Sequence, residues 1–124
     1  MSAQPEKALK RDAGRRLRRY PRYRSQFPVT VTLLFGEKHQ HLDAHCKDVS
    51  EAGLGALLAA ELTLGEVVSL SFALPGQTTW EVPAVLRHRR GYHYGFEFLT
   101  VTEEQGKVLA GFFPGLERAD ERGV

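Results

Sequence analysis

The segment FPVTVTLLF, residues 27–35, alternates between apolar and polar side chains. The apolar ones share one face of an extended chain: Phe27, Val29, Val31, Leu33 and Phe35. A period of two is typical of a β-strand that is buried on one side and wet on the other. The segment therefore predicts a strand, and the same kind of pattern continues through most of the chain that follows.

Five further apolar segments are separated by turn residues such as Pro75-Gly76 and Gly91. They predict strands over residues 39–49, 54–60, 67–74, 78–90 and 92–100. Pro83 indicates an edge or a bulge in the fifth of the six strands. Six strands of this size close best as a small barrel, because closure removes their exposed edges. The predicted fold class is therefore a six-stranded antiparallel β-barrel.

After the last strand the apolar residues change to helical spacing. Thr102 and Gln105 have the spacing of a capping box, in which each side chain bonds the other's backbone. The apolar stripe consists of Val108, Leu109, Phe112 and Phe113. These features predict a C-terminal helix over residues 102–113.

The length of 124 residues fits a single domain. We expect a flexible tail at 1–14, a domain at 15–115 with an arm (15–26), a barrel (27–100) and the helix, and a tail at 116–124. A single cysteine excludes an internal disulfide framework. Nothing is typical of a signal peptide or a membrane span, and the prediction is a cytoplasmic protein with no output domain attached.

The charge is distributed unevenly, although the net value is only +2. Residues 1–24 carry nine Lys or Arg against two acidic residues, and the remainder of the chain carries eight against thirteen. Most of the basic residues in the arm are arginines, whose planar forks suit phosphate and the O6/N7 edge of guanine. The arm therefore favours binding of an anion over a tail that only aids solubility.

Two short motifs stand on either side of the first two predicted strands. Arg-x-x-x-Arg occurs at Arg18 and Arg22, and Asp-x-Ser-x-x-Gly at Asp48, Ser50 and Gly53. Each motif alone is a weak signal. Their order, with a Pro-Val strand between them and GEVVSLSFALPG, VPAVLRH and YGFEF after them, resembles the PilZ domain family. The resemblance covers about residues 15–113.

The resemblance implies a non-catalytic bacterial receptor for cyclic di-GMP, built on a six-stranded barrel with a C-terminal helix. It implies no other cofactor, no metal and no catalytic residue. The receptor would pass its signal, by ordering of the arm, to a protein partner that the sequence does not identify. The ligand contacts that it implies are Arg18, Arg19 and Arg22 in the arm and Asp48, Ser50 and Gly53 after the second strand.

The chemistry of these residues fits a cyclic dinucleotide with two guanines and two phosphates. Arginine forks suit the phosphate oxygens and guanine O6/N7. The carboxylate of Asp48 suits the guanine N1–H and N2–H₂ donors, or alternatively orients an arginine of the arm. In the family, an arginine just before the Arg-x-x-x-Arg unit goes with an intercalated pair of ligands. Here Leu17 has that position, which predicts one ligand per chain.

Other interpretations stay open at this point. A PilZ-like adaptor that binds no ligand is one, and a small nucleic-acid-binding barrel with a basic arm is a less favoured one. The alternating His39, His41, Asp43 and His45 are interpreted as a solvated face rather than a metal site. The Arg87–Arg90 cluster is interpreted as a strand end, and Trp80, Tyr92 and Tyr94 as core or cross-strand aromatics. No nucleophile–base pair with a recognisable spacing indicates an enzyme.

Overall fold

The computed structural model describes residues 20–35, 37–74 and 79–118. Six strands, one α-helix and one 3₁₀ turn lie within these ranges. The strands are β1 (Tyr23–Phe35), β2 (Lys38–Val49), β3 (Gly53–Leu57), β4 (Val67–Ala73), β5 (Thr79–Arg90) and β6 (His93–Phe98). They are followed by the helix α1 (Glu103–Phe112) and the 3₁₀ turn Phe113–Gly115.

The six strands form a closed barrel in the order β1-β2-β3-β6-β5-β4. Every neighbouring pair is antiparallel, and β1 pairs with both β2 and β4, so that the sheet closes on itself. Closure pairs the backbone N–H and C=O groups that an open edge would leave exposed. The predicted barrel with its C-terminal helix is confirmed.

The alternating residues of the strands fill the barrel. On β1, Val29, Val31 and Leu33 are at most 4% exposed, as the sequence pattern predicts. Phe27 adds an aromatic ring, which stacks against Phe72 of β4 with centroids 5.5 Å apart. Each such side chain contributes on the order of 1.5–3 kcal/mol when it is fully buried. The core is therefore continuous across the barrel.

Two strand limits differ from the prediction by three residues or more. β1 begins at Tyr23 and not at Phe27, because Tyr23 and Arg24 already pair with Val49 and Asp48 of β2. A register shift between Arg24 and Phe27 interrupts the alternation there, and the sequence pattern therefore predicts that residues 23–26 belong to the arm. β3 ends at Leu57, because the chain turns away after Leu58 and Leu58 N donates to the carbonyl of Tyr92 at 2.9 Å.

The helix α1 begins with the predicted capping box. The Thr102 hydroxyl accepts from Gln105 N, and the Gln105 side chain accepts from Thr102 N, both at 3.0 Å. Leu109 and Phe113 are buried in the same core as the strands. The helix is thus attached to the barrel by its apolar stripe. In the described part of the chain, no helix is long and apolar enough to cross a membrane.

The segment after α1 is joined to the beginning of β1. The ring of Tyr23 stacks on Phe113 with centroids 4.6 Å apart. Arg24 N donates to the carbonyl of Glu117 at 2.8 Å, and Tyr23 forms an isolated β-bridge with Arg118. The point at which the arm enters the barrel is therefore also the point at which the C-terminal segment is held.

Candidate functional site

Four strands bring one row of residues together on the outer face of the barrel. Asp48 on β2 lies opposite Gly55 on β3. Gly55 lies opposite Gly95 on β6, which in turn lies opposite His88 on β5. Because side chains alternate between the two faces of a strand, these residues share the face opposite the core. We call Gly55 and Gly95 the glycine pair.

The glycine pair allows side chains from neighbouring strands to lie flat against the sheet. A Cβ atom on Gly55 would lie 2.9 Å from Cε1 of His93 and 3.0 Å from each carboxylate oxygen of Asp48. A Cβ atom on Gly95 would lie 2.1 Å from Nε2 of His88. A larger residue at either position would lift these side chains off the barrel. Asp48, His88 and His93 thus form a polar layer, and the glycine pair determines how close to the sheet this layer lies.

Arg22 and Asp48 join the two sequence motifs at the edge of this layer. The Nε of Arg22 donates to Oδ1 of Asp48 at 2.8 Å, and its Nη2 donates to the same oxygen. Both side chains are mostly buried, with 16% and 18% of their surface exposed. The other oxygen of Asp48 lies 3.9 Å from Nε2 of His93. Burial limits screening by salt, so the pair is held more firmly than a surface ion pair.

Three irregularities in strand pairing meet around the same place. Register shifts occur between Arg24 and Phe27 on β1, between Cys46 and Asp48 on β2, and between Leu86 and His88 on β5. An irregularity of this kind re-aims the side chains next to it and recurs beside binding sites. Here the shifts on β2 and β5 directly precede Asp48 and His88, the two side chains at the ends of the row.

The turn between β2 and β3 is held by its own serine. Ser50 Oγ accepts from Ala52 N at 3.0 Å, and Ser50 N donates to the carbonyl of Gly53 at 2.8 Å. Ser50 is only 2% exposed. A Cβ atom on Gly53 would lie 2.0 Å from the carbonyl oxygen of Phe96, so this position needs glycine for the approach of β3 to β6. In the Asp-x-Ser-x-x-Gly motif, Ser50 and Gly53 thus shape the turn that follows Asp48.

A second pair of arginine and carboxylate lies beside the row. Arg87 Nε donates to Oε1 of Glu97 at 2.6 Å, and Glu97 lies opposite Gly53 on the neighbouring strand. The Glu97 side chain is 18% exposed, like that of Asp48. The face therefore carries two half-buried carboxylates, each with an arginine donating to it.

The remaining candidates from the sequence lie elsewhere or outside the described residues. Arg18 and Arg19 belong to the part of the arm that the structure does not describe. Trp80 and Tyr94 are buried in the core. Cys46 is also buried, and burial raises the pKa of its thiol to about 12, so it stays protonated at neutral pH. Within the described ranges, no group of three or more His, Cys, Asp or Glu residues is placed to hold a metal ion.

Sequence reasoning missed Gly55 and His93. The available signal was a second glycine, two residues after Gly53, in a short apolar strand. Glycine within a strand often marks a close approach of another group, and here the group is the Asp48 carboxylate together with the His93 ring. His93 has no local signal, because its position beside Asp48 depends on the pairing of three strands.

Comparison with known proteins gives a consistent result. The family model described as the PilZ domain matches residues 16–113. A search of curated protein sequences finds no significant relative. Among solved structures, the chain is similar to the PilZ domain of Escherichia coli YcgR with c-di-GMP. The TM-score is 0.64 and the identity 23%, over 81% of this chain and 91% of that one.

Two longer structures share the same fold. YcgR of Escherichia coli in complex with c-di-GMP has a TM-score of 0.62 and 25% identity, over 77% of this chain and 43% of that one. The inhibitor of motility MotI/DgrA of Bacillus subtilis has a TM-score of 0.62 and 18% identity, over 78% and 49%. The chain therefore spans about half or less of these two proteins. With the family model matched from the arm to the helix, and the barrel shared with solved members, the chain belongs to the PilZ domain family.

Proposed function

We propose that this protein is a non-catalytic receptor for cyclic di-GMP. It binds this ligand through the arm and the polar layer on the barrel, and it passes the signal to a protein partner. The observation that carries the proposal is the pairing of Arg22 with Asp48. It brings the arginine motif and the Asp-x-Ser-x-x-Gly motif, 26 residues apart in the chain, into direct contact. The pair lies at the edge of the outer polar layer, and it offers both donors and an acceptor to an anionic ligand that itself carries hydrogen-bond donors.

The two charged groups match opposite parts of the ligand. The Arg22 fork donates to phosphate or to guanine O6/N7, both of which are acceptors. The carboxylate of Asp48 accepts from guanine N1–H and N2–H₂. In the described residues its Oδ1 receives both Arg22 donors, while Oδ2 has His93 nearby at 3.9 Å, beyond hydrogen-bond length. Oδ2 is therefore the oxygen that we assign to the guanine.

The other residues of the proposed site act around this pair. We propose that Arg18 and Arg19 add charge-assisted contacts from the arm to the ligand. Gly53 lets β3 approach β6, and Ser50 holds the turn that positions Asp48. We also propose one ligand per chain, because Leu17 has no donor for a second guanine.

A route for the signal starts at the entry of the arm into the barrel. Tyr23, next to Arg22, stacks on Phe113, and Arg24 is bonded to the backbone of Glu117. Movement of Arg22 toward a ligand therefore acts on the segment after α1 through residues adjacent in the chain. We propose that the arm and this segment together present the surface that the partner recognises.

Calorimetric titration with cyclic di-GMP, GTP and cyclic di-AMP tests the proposal. Binding of cyclic di-GMP alone, at one ligand per chain, supports it. Asp48→Ala is expected to weaken binding at least tenfold, whereas Asp43→Ala, an exposed carboxylate on the same strand, is the matched control and leaves affinity unchanged. Absence of heat with a folded protein would favour the adaptor without a ligand.

A further inference from the structure

Two histidines form part of the polar layer beside Asp48. His93 on β6 lies over Gly55, with its Cε1 only 2.9 Å from the point that a Cβ atom would occupy. His88 on β5 lies over Gly95, where three ring atoms come within 2.7 Å of the corresponding point. Because both rings rest on glycine, they lie close to the sheet and in one layer with the carboxylate.

Both histidines lie on the outer face of the barrel. The side chain of His93 is 36% exposed, twice the fraction of Asp48, and His88 is an exposed residue. A planar ligand that reaches the carboxylate of Asp48 must therefore pass close to His93, whose Nε2 lies 3.9 Å from Oδ2. His88 lies over Gly95, the next glycine in the same row, and is therefore one strand farther from Asp48 than His93 is.

Imidazole is the side chain that ordinarily changes charge between pH 5 and 8. The phosphodiester groups of a cyclic dinucleotide remain ionised across this range. Charged or titratable residues also stand on the elements around the two rings: Arg22 before β1, His45, Lys47 and Asp48 on β2, Glu61 between β3 and β4, Arg87, Arg89 and Arg90 on β5, and Glu97 on β6. Of these, only His45 carries an imidazole ring.

We propose that His88 and His93 are contact residues of the cyclic di-GMP site and that their protonation strengthens binding. This inference rests on the function proposed above. Asp48 lies beside His93 both before and after the ligand arrives, so its charge does not decide the direction of the effect. The dianionic ligand is present only after binding, and it favours the charged rings. Binding therefore takes up protons, and affinity rises as the pH falls.

The test is calorimetric titration of the full chain with cyclic di-GMP at about pH 6 and about pH 8. We expect the wild type to bind roughly three- to tenfold more tightly at the lower pH, since one unit of pKa shift on binding corresponds to a factor of ten. The uptake of protons is measured independently by repeating the titration in buffers with different enthalpies of ionisation.

The variants His88→Gln and His93→Gln, singly and together, keep a polar side chain but lose the titration. The double variant is expected to bind with nearly equal affinity at both pH values and to take up no protons. His39→Gln combined with His41→Gln is the matched control, because both residues are exposed on β2 away from Asp48. It is expected to retain the full dependence on pH, and thermal unfolding checks that every variant is folded.

Two results would overturn this inference alone: wild-type affinity that is equal at both pH values, or a dependence on pH that persists in the double variant. Absence of binding at both pH values would overturn the proposed function and this inference with it. The experiment thus separates a failure of the two histidines from a failure of the site.

Discussion

Replacing Gly55 with alanine tests whether the glycine pair determines how close to the sheet the polar layer lies. The added Cβ atom would lie 3.0 Å from both carboxylate oxygens of Asp48 and 2.9 Å from Cε1 of His93. Ordinary contacts between such atoms are about 3.5 Å or longer, so both groups must retreat by roughly half an ångström. Asp48 cannot do so without loosening its bonds from Arg22.

The expected cost falls on binding and not on stability. Alanine in a strand gains about 0.5–1 kcal/mol over glycine, which offsets the strain of moving two side-chain ends. Loss of one charge-assisted contact costs on the order of 1.5–3 kcal/mol, or about ten- to a hundredfold in affinity. Calorimetry measures the affinity for cyclic di-GMP, and chemical unfolding measures the stability.

Gly106→Ala on α1 is the matched control for this substitution. A Cβ atom at Gly106 has no heavy atom within 4 Å, so affinity is expected to stay unchanged. Stability is expected to rise by up to about 1 kcal/mol, because alanine is the better helix former. If Gly55→Ala is folded and binds within about twofold of the wild type, the glycine pair does not position the site and the reasoning is refuted.

Three further predictions concern the arm and the turn. Arg22→Ala is expected to lower affinity roughly ten- to a hundredfold, because Arg22 stands in the Arg-x-x-x-Arg motif and donates to Asp48. Arg15→Ala is expected to cost much less, because Arg15 lies outside the motif at Arg18 and Arg22; equal losses in calorimetry would mean that the arm acts as a diffuse charge. Ser50→Ala removes the acceptor for Ala52 N and is expected to lower the free energy of unfolding by about 1 kcal/mol, or the Tm by about 4–8 °C. The affinity for cyclic di-GMP is expected to stay within tenfold of the wild type, and a larger loss of affinity at unchanged Tm would make Ser50 a direct contact. Leu17→Arg is expected to raise the stoichiometry in titration from one ligand per chain to two, and a wild-type plateau at two would contradict the role of Leu17.

The barrel could be predicted from the sequence because successive side chains of a pleated strand point to opposite faces, so that burial of one face produces a local alternation of apolar and polar residues. Val29, Val31 and Leu33 alternate with threonines, and all three are buried as the pattern requires. The same rule failed at residues 23–26, where the register shift places one extra residue in β1 and breaks the period of two. Local patterns therefore predict where a strand is regular and fail where it is bulged.

The candidate site was only partly predictable for the same physical reason. Arg22 and Asp48 stand in motifs that can be seen in the chain, and the structure brings them into contact. Gly55 and His93 come to Asp48 through the pairing of β2 with β3 and of β3 with β6. Those registers depend on long-range pairing and on bulges, which leave no mark in the neighbouring residues. A single sequence therefore shows the charged pair but not the layer around it.

The most direct test of the central claim is an amide NMR titration of the full chain with cyclic di-GMP. The account predicts saturable shifts at Asp48, at the glycine pair and at residues 22–24, with little change at the far strand end around Thr32 and His41. Shifts confined to regions away from Asp48, or no shifts on addition of the ligand, would contradict it.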